Sequence, residues 1–211
     1  MTYRRSLATL AAAVAAAVLA GCLKLAQPAP HVQTYALAPA APAAAGRHLP
    51  VTLHVAPFGM AAVYDREAIV YRENAFTTGA YFYHRWSANP GHMIADLLAR
   101  DLADTGAYEA VQRTPSLAGA DYDLTGNVEV LEEAPAARGC VAALQLRVTL
   151  LRTRARTGNT VLSQKAYAAQ EPCVCADVPT LVEAMSRALA TVSAEIGVDV
   201  HDAIARDMAQ R

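Results

Sequence analysis

Tyr122-Asp123-Leu124-Thr125-Gly126-Asn127-Val128-Glu129-Val130-Leu131 is the stretch on which the fold turns. Tyr122, Leu124, Val128 and Val130 fall on one side of an extended chain, and Asp123, Thr125, Asn127 and Glu129 on the other. A period of two over ten residues predicts a strand with one face buried and one face wet. The next segment repeats the pattern. In Val141 to Arg152, Leu144, Leu146, Val148 and Leu150 alternate with Gln145, Arg147 and Thr149. A third strand is expected over Thr160 to Ala169, after a turn at Thr157-Gly158-Asn159. Alternation of this kind is the mark of an antiparallel sheet with a solvated face.

Working outward, the period changes from two to 3.6. Asn89-Pro90 supplies an N-cap and a proline at the first helical position. Met93, Ile94, Leu97, Leu98 and Leu102 follow at helical spacing, and Gly106 closes the helix. A second helix begins at Asp177 with Pro179 in its first turn. Its stripe is Leu181, Met185, Leu189, Val192 and Ile196, carried past Gly197 by Val200 and Ile204. Shorter strands are expected at Gln33 to Leu37, Leu49 to Pro57 and Tyr108 to Gln112. The order β-β-α-β-β-β-β-α predicts an α+β two-layer sandwich: a mostly antiparallel sheet of five to six strands with two amphipathic helices.

The amino-terminal region reads as a targeting signal. Arg4 and Arg5 precede an apolar run from Leu7 to Leu19, and Leu19-Ala20-Gly21-Cys22 ends it. A basic start, a short apolar core and small residues at the end are the parts of a signal peptide. The run is about 13 residues, short of the roughly 20 that span a bilayer. Leu, two small residues and Cys form a lipobox, so cleavage is expected between Gly21 and Cys22. Cys22 would then carry a covalent diacylglycerol on its thiol. Leu23 in place of Asp after that cysteine points to the outer membrane, facing the periplasm. The expected organisation is a cleaved signal at 1–21, the lipidated cysteine and a tether at 22–32, and one domain at 33–211. Ala38 to Gly46 is a second low-complexity stretch.

The whole chain carries 18 Lys+Arg and 19 Asp+Glu. Losing Arg4 and Arg5 leaves a balance of −3, without the basic stripe that nucleic acid requires. Phosphate loops ending in Lys-Ser/Thr, Gly-x-Ser-x-Gly elbows and His-Glu-x-x-His helices are missing from the sequence, and the six histidines are scattered. No catalytic residue, cofactor or metal site is expected, and the chain is not read as an enzyme. Cysteine usage says more. Cys140, Cys173 and Cys175 lie in a chain destined for an oxidising compartment. Cys140 heads one strand and the other two end the next, so a bridge from Cys140 to one of them is expected to close about 33 residues. By the chain-entropy model that contributes roughly 3–4 kcal/mol. Free thiols, or a site for zinc, are the alternatives.

Residues 64–86 hold seven of the 13 aromatics, together with Arg66, Arg72 and Arg85. This is either a hairpin packed over the first helix or a recognition surface, since Tyr, Trp and Arg are enriched at interfaces. Arg66, Tyr71, Arg72, Tyr81, Tyr83, Arg85 and Trp86 are the candidate partner contacts.

The same segment carries a resemblance. Tyr64-Asp65-Arg66-Glu67-Ala68-Ile69-Val70-Tyr71-Arg72, followed by Tyr83-His84-Arg85-Trp86-Ser87-Ala88-Asn89-Pro90 before a helix, resembles the ABC-type transport auxiliary lipoproteins. That family includes the lipoprotein of the paraquat-inducible system. Tyr35-Ala36-Leu37 matches its early Tyr-x-Leu strand, and Leu19 to Cys22 its lipobox. The cysteine pair is not part of the pattern. The resemblance implies an outer-membrane lipoprotein working with an MCE-domain protein, a permease and an ATPase to move lipids between membranes. It also implies a fold similar to the amino-terminal domain of the Tol-system propeller protein, and no catalytic residues. A self-associating envelope or secretion scaffold is the alternative function, with a homo-oligomer as its assembly.

Overall fold

The computed structural model describes residues 31–42, 47–114, 119–153 and 158–210. The signal segment, Cys22, most of the tether and Thr157 of the expected turn lie outside the described residues. Residues 32–211 form one unit. Its strands are β1 (Gln33–Tyr35), β2 (Leu49–Val55), β3 (Gly59–Met60), β4 (Ala68–Arg72) and β5 (Thr78–Trp86). Helix α1 (Pro90–Asp104) follows, then β6 (Tyr108–Gln112), β7 (Tyr122–Pro135), β8 (Cys140–Arg152), β9 (Thr160–Cys173) and helix α2 (Val178–Ala209).

The quoted stretch is the spine of a nine-stranded sheet. β8 pairs antiparallel with β7 along its whole length, and β9 continues the meander. The other edge of β7 is shared in relay. β2 pairs with Tyr122–Leu124, β3 with Asn127–Val128 and β4 with Glu132–Glu133, all parallel. β6 lies parallel outside β2, while β5 turns back antiparallel on β4 and carries β1 in parallel on its far edge. The α+β class therefore holds, but the sheet is mixed and larger than the five or six mostly antiparallel strands expected. Parallel neighbours need crossovers, and the chain between β2 and its parallel neighbour β6, which includes α1, supplies one.

One face of this sheet is covered by the helices. Leu124, Val128, Leu144, Leu146, Val148 and Leu150 are buried there, together with Ile94, Leu98 and Leu102 of α1 and the stripe of Leu181, Met185, Leu189, Val192, Ile196, Val200 and Ile204 of α2. A bulge between Val128 and Val130 adds one residue to β7 and reverses its phase. Leu131 therefore points into the core at 2% exposed, while the expected core residue Val130 is only half-buried. Asn89 caps α1 as its sequence requires, its Oδ1 accepting from the N–H groups of Gly91 (3.0 Å) and His92 (3.3 Å). Gly106, at φ +67°, takes the left-handed turn that ends it. α2 runs unbroken through Gly197 for 32 residues. Among the described residues, no helix is long and apolar enough to cross a membrane.

Candidate functional site

The aromatic segment forms the β4–β5 hairpin. Its tip is a tight loop in which Asn74 Oδ1 accepts from the N–H groups of Phe76 (2.9 Å) and Thr77 (3.0 Å). The Glu73 N–H donates to the Thr77 carbonyl across it. Behind the tip, Tyr71 lies flat over its cross-strand partner Gly79, where any β-carbon would sit 2.3 Å from the ring. A side chain at that position would displace the Tyr71 ring. Residues 81–84 of β5 bulge away from β4, because Ala68 pairs with Arg85 while Val70 already pairs with Ala80.

Two buried glutamates hold this hairpin to the spine. Glu132, 4% exposed, accepts from Arg72 Nε (2.5 Å), Arg72 Nη2 (3.0 Å) and the Tyr64 hydroxyl (2.8 Å). Glu133, 7% exposed, accepts from the Tyr81 hydroxyl (3.0 Å) and from the Ala176 N–H (3.2 Å). Burial, and then the Glu133 charge, push the Tyr81 phenol well above its ordinary range. The Tyr64 phenol is raised by burial first and by Glu132 second. Rings continue the anchorage sideways. Tyr71 meets Tyr81 at 4.9 Å, Tyr81 meets His84 at 5.9 Å, and His84 meets Tyr35 of β1 at 5.7 Å.

The seven candidate contacts divide accordingly. Trp86 is a core residue at 3% exposed, so it is corrected from contact to packing. Arg72 is committed to Glu132, and Tyr71 and Tyr81 are half-buried in the ring stack. Arg66, Tyr83 and Arg85 remain on the surface. The sequence reading left out Phe76 and Phe82, which are 98% and 79% exposed. Phe76 stands in polar surroundings at the hairpin tip, and the irregular register of β5 hides which way Phe82 points. The alternation in the sequence ends at Leu131, whereas β7 continues to Pro135 and includes Glu132 and Glu133.

Cys140 is bridged to Cys175, with Cα atoms 5.1 Å apart, and Cys173 is a free, half-buried thiol. Burial, reinforced by Glu133, pushes that thiol up to about 11. Among the described residues no group of three or more His, Cys, Asp or Glu is arranged to hold a metal. Cys22 lies outside the described residues.

Solved structures share this architecture. Protein XCC0632 of Xanthomonas campestris, assigned to DUF330, superposes with a TM-score of 0.74 at 22% identity, over 84% of this chain and 99% of that one. A second, uncharacterised protein gives 0.63 at 14% identity, over 81% and 99%. Both are likenesses of fold. No curated protein matches the chain. The family model described as the ABC-type transport auxiliary lipoprotein component matches residues 35–197, from the ring of Tyr35 on β1 to the middle of α2. On that match the chain belongs to the ABC-type transport auxiliary lipoprotein component family.

Proposed function

We propose that this lipoprotein is anchored through acylated Cys22 in the outer membrane and serves an MCE-type lipid transport system by touch, carrying out no reaction of its own. Its partners are the MCE-domain protein and, through it, a permease and an ATPase. The observation that carries the reading is a small surface of arginine and aromatic side chains beside the anchored hairpin. Arg66 and Arg85 are exposed at the end of the hairpin near Trp86, and neither forms an ion pair among the described residues. Ala68 pairs with Arg85, and the Trp86 N–H donates to the Glu67 carbonyl, so Arg66, two residues ahead of β4, comes close in register to Arg85 on β5. Tyr83 stands beside them, 41% exposed. Arginine and tyrosine are among the side chains that carry most of the binding energy at protein interfaces. Family membership, with its ABC-transport association, supports this assignment.

Co-purification from membranes tests it. Arg66→Glu with Arg85→Glu, and separately Tyr83→Ala, are expected to melt like the parent and to retain about tenfold less of the MCE component. Retention of every partner by these variants would remove the assignment. One observation favours the alternative of self-association: among the described residues, β9 pairs only with β8, which leaves the other edge of a 14-residue strand open. Sedimentation of the chain without any partner decides it, a monomer ruling the scaffold out.

A further inference from the structure

Phe76 and Phe82 are costly to leave in water, and nothing in the fold explains them. Their place relative to the anchor does. β1 runs parallel to β5, with Gln33 opposite His84 and Tyr35 opposite Trp86. Followed backward toward Cys22, the chain therefore leaves β1 on the side of the hairpin tip, and Val32 at its exit is itself 41% exposed. From His84 to Thr78 is at most about 20 Å of strand at 3.3 Å per residue. The ten positions between Val32 and Cys22 reach about 31 Å when extended. The tether is thus long enough to set the acyl chains level with the tip, and too short to carry the domain far from the bilayer.

The geometry points to the β4–β5 hairpin as a second membrane contact, with Phe76 at its tip and Phe82 six residues back on β5, about 20 Å along the strand, both set into the interface of the bilayer that holds the chain's own anchor. A single point of attachment lets a domain swing through all orientations. Two points fix it, and so decide where the Arg66–Arg85 end faces. Phe76, on a loop among Asn74, Thr77 and Thr78, suits the headgroup boundary, where backbone groups stay hydrated. Phe82 is braced edge-on by Tyr83 at 5.0 Å, and the tip by the Asn74 bonds, so little order is lost on insertion. This rests on the anchoring proposed above.

The test uses the full acylated chain on vesicles of phosphatidylethanolamine and phosphatidylglycerol at three to one. Flotation reports the anchor, and a tryptophan probe reports the tip. Phe76→Trp and Phe82→Trp variants are expected to shift their emission to the blue and to be quenched by acyl-brominated lipid. Val161→Trp, 59% exposed on β9 at the other edge of the sheet, is expected to stay red and unquenched. Trp86 is buried in every variant and serves as a constant background. In the non-acylated chain, Phe76→Ser with Phe82→Ser is expected to lower the residual vesicle affinity about tenfold or more. A chain that floats while its Phe76→Trp and Phe82→Trp probes remain as accessible to aqueous quencher as Val161→Trp would overturn the insertion and leave the anchor standing. Shielding of those probes only when the MCE component is added would assign the phenylalanines to that protein instead. A chain that does not float overturns both readings.

Discussion

Glu132 is a carboxylate that has given up almost all of its water, and Arg72 is what makes that tolerable. The pair is bidentate, the Tyr64 hydroxyl fills a further lone pair, and the guanidinium keeps about a third of its surface in solvent. Such a pair contributes little compared with an apolar one of the same shape, but breaking it strands a charge. Arg72→Met is expected to cost about 3 kcal/mol in urea unfolding. Arg72→Met with Glu132→Leu should recover much of that loss, because both charges leave together. A neighbouring residue obeys the same electrostatics with the opposite readout. The Cys173 thiol, raised to about 11 by burial and by Glu133, exists almost wholly as the neutral form near neutral pH. Its stabilising share is present below the ordinary thiol range and is lost as pH rises through the folded value. Alkylation of the native chain at pH 8 should run roughly a hundredfold slower at Cys173 than in the unfolded chain, as read by mass spectrometry. Equal rates would mean that the thiol is open to water.

At the scale of elements, caps and glycines carry separable free energies. Asn89→Ala removes the acceptor for two N–H groups at the start of α1 and is expected to cost about 1 kcal/mol. Gly197 sits inside α2, and a β-carbon there would meet Leu102 Cδ2 at an ordinary 3.8 Å. Gly197→Ala should therefore raise stability by about 0.5–1 kcal/mol in the same assay. The elements readable in the sequence are those whose periodicity is unbroken: β8, α1 and the long stripe of α2. Those that were hidden have a broken period. β7 changes phase at its bulge, so Val130 was assigned to the wrong face and the strand seemed to stop before two acidic residues. β5 bulges over residues 81–84, so the core residue Trp86 and the exposed Phe82 could not be told apart by alternation. The parallel relay along β7 had no local signal, because which strands meet across a crossover is settled by packing against the helices and not by residue order.

For the whole molecule, the one covalent constraint among the described residues ties the two layers together. Cys140 begins β8, and Cys175 lies between the end of β9 and the Asp177 cap of α2, so the bridge fastens the lead-in of the long helix to the sheet. It encloses 35 residues and should contribute about 4 kcal/mol by restricting the unfolded chain. The sequence could place Cys140 next to both candidates but could not choose between them. Cys173 is the direct cross-strand neighbour of Cys140, yet it remains a free, half-buried thiol. The choice falls to Cys175, two residues on, in the turn where Ala176 takes φ +57°. These alternatives differ in three variants. With the bridge at Cys175, Cys140→Ser and Cys175→Ser should each lower the melting temperature by about 10 °C, while Cys173→Ser leaves it nearly unchanged. A bridge at Cys173 would exchange the behaviour of the last two. Peptide mapping of the oxidised chain then reads the same answer without substitution, because only a Cys140–Cys175 linkage leaves Cys173 open to alkylation once the chain is unfolded.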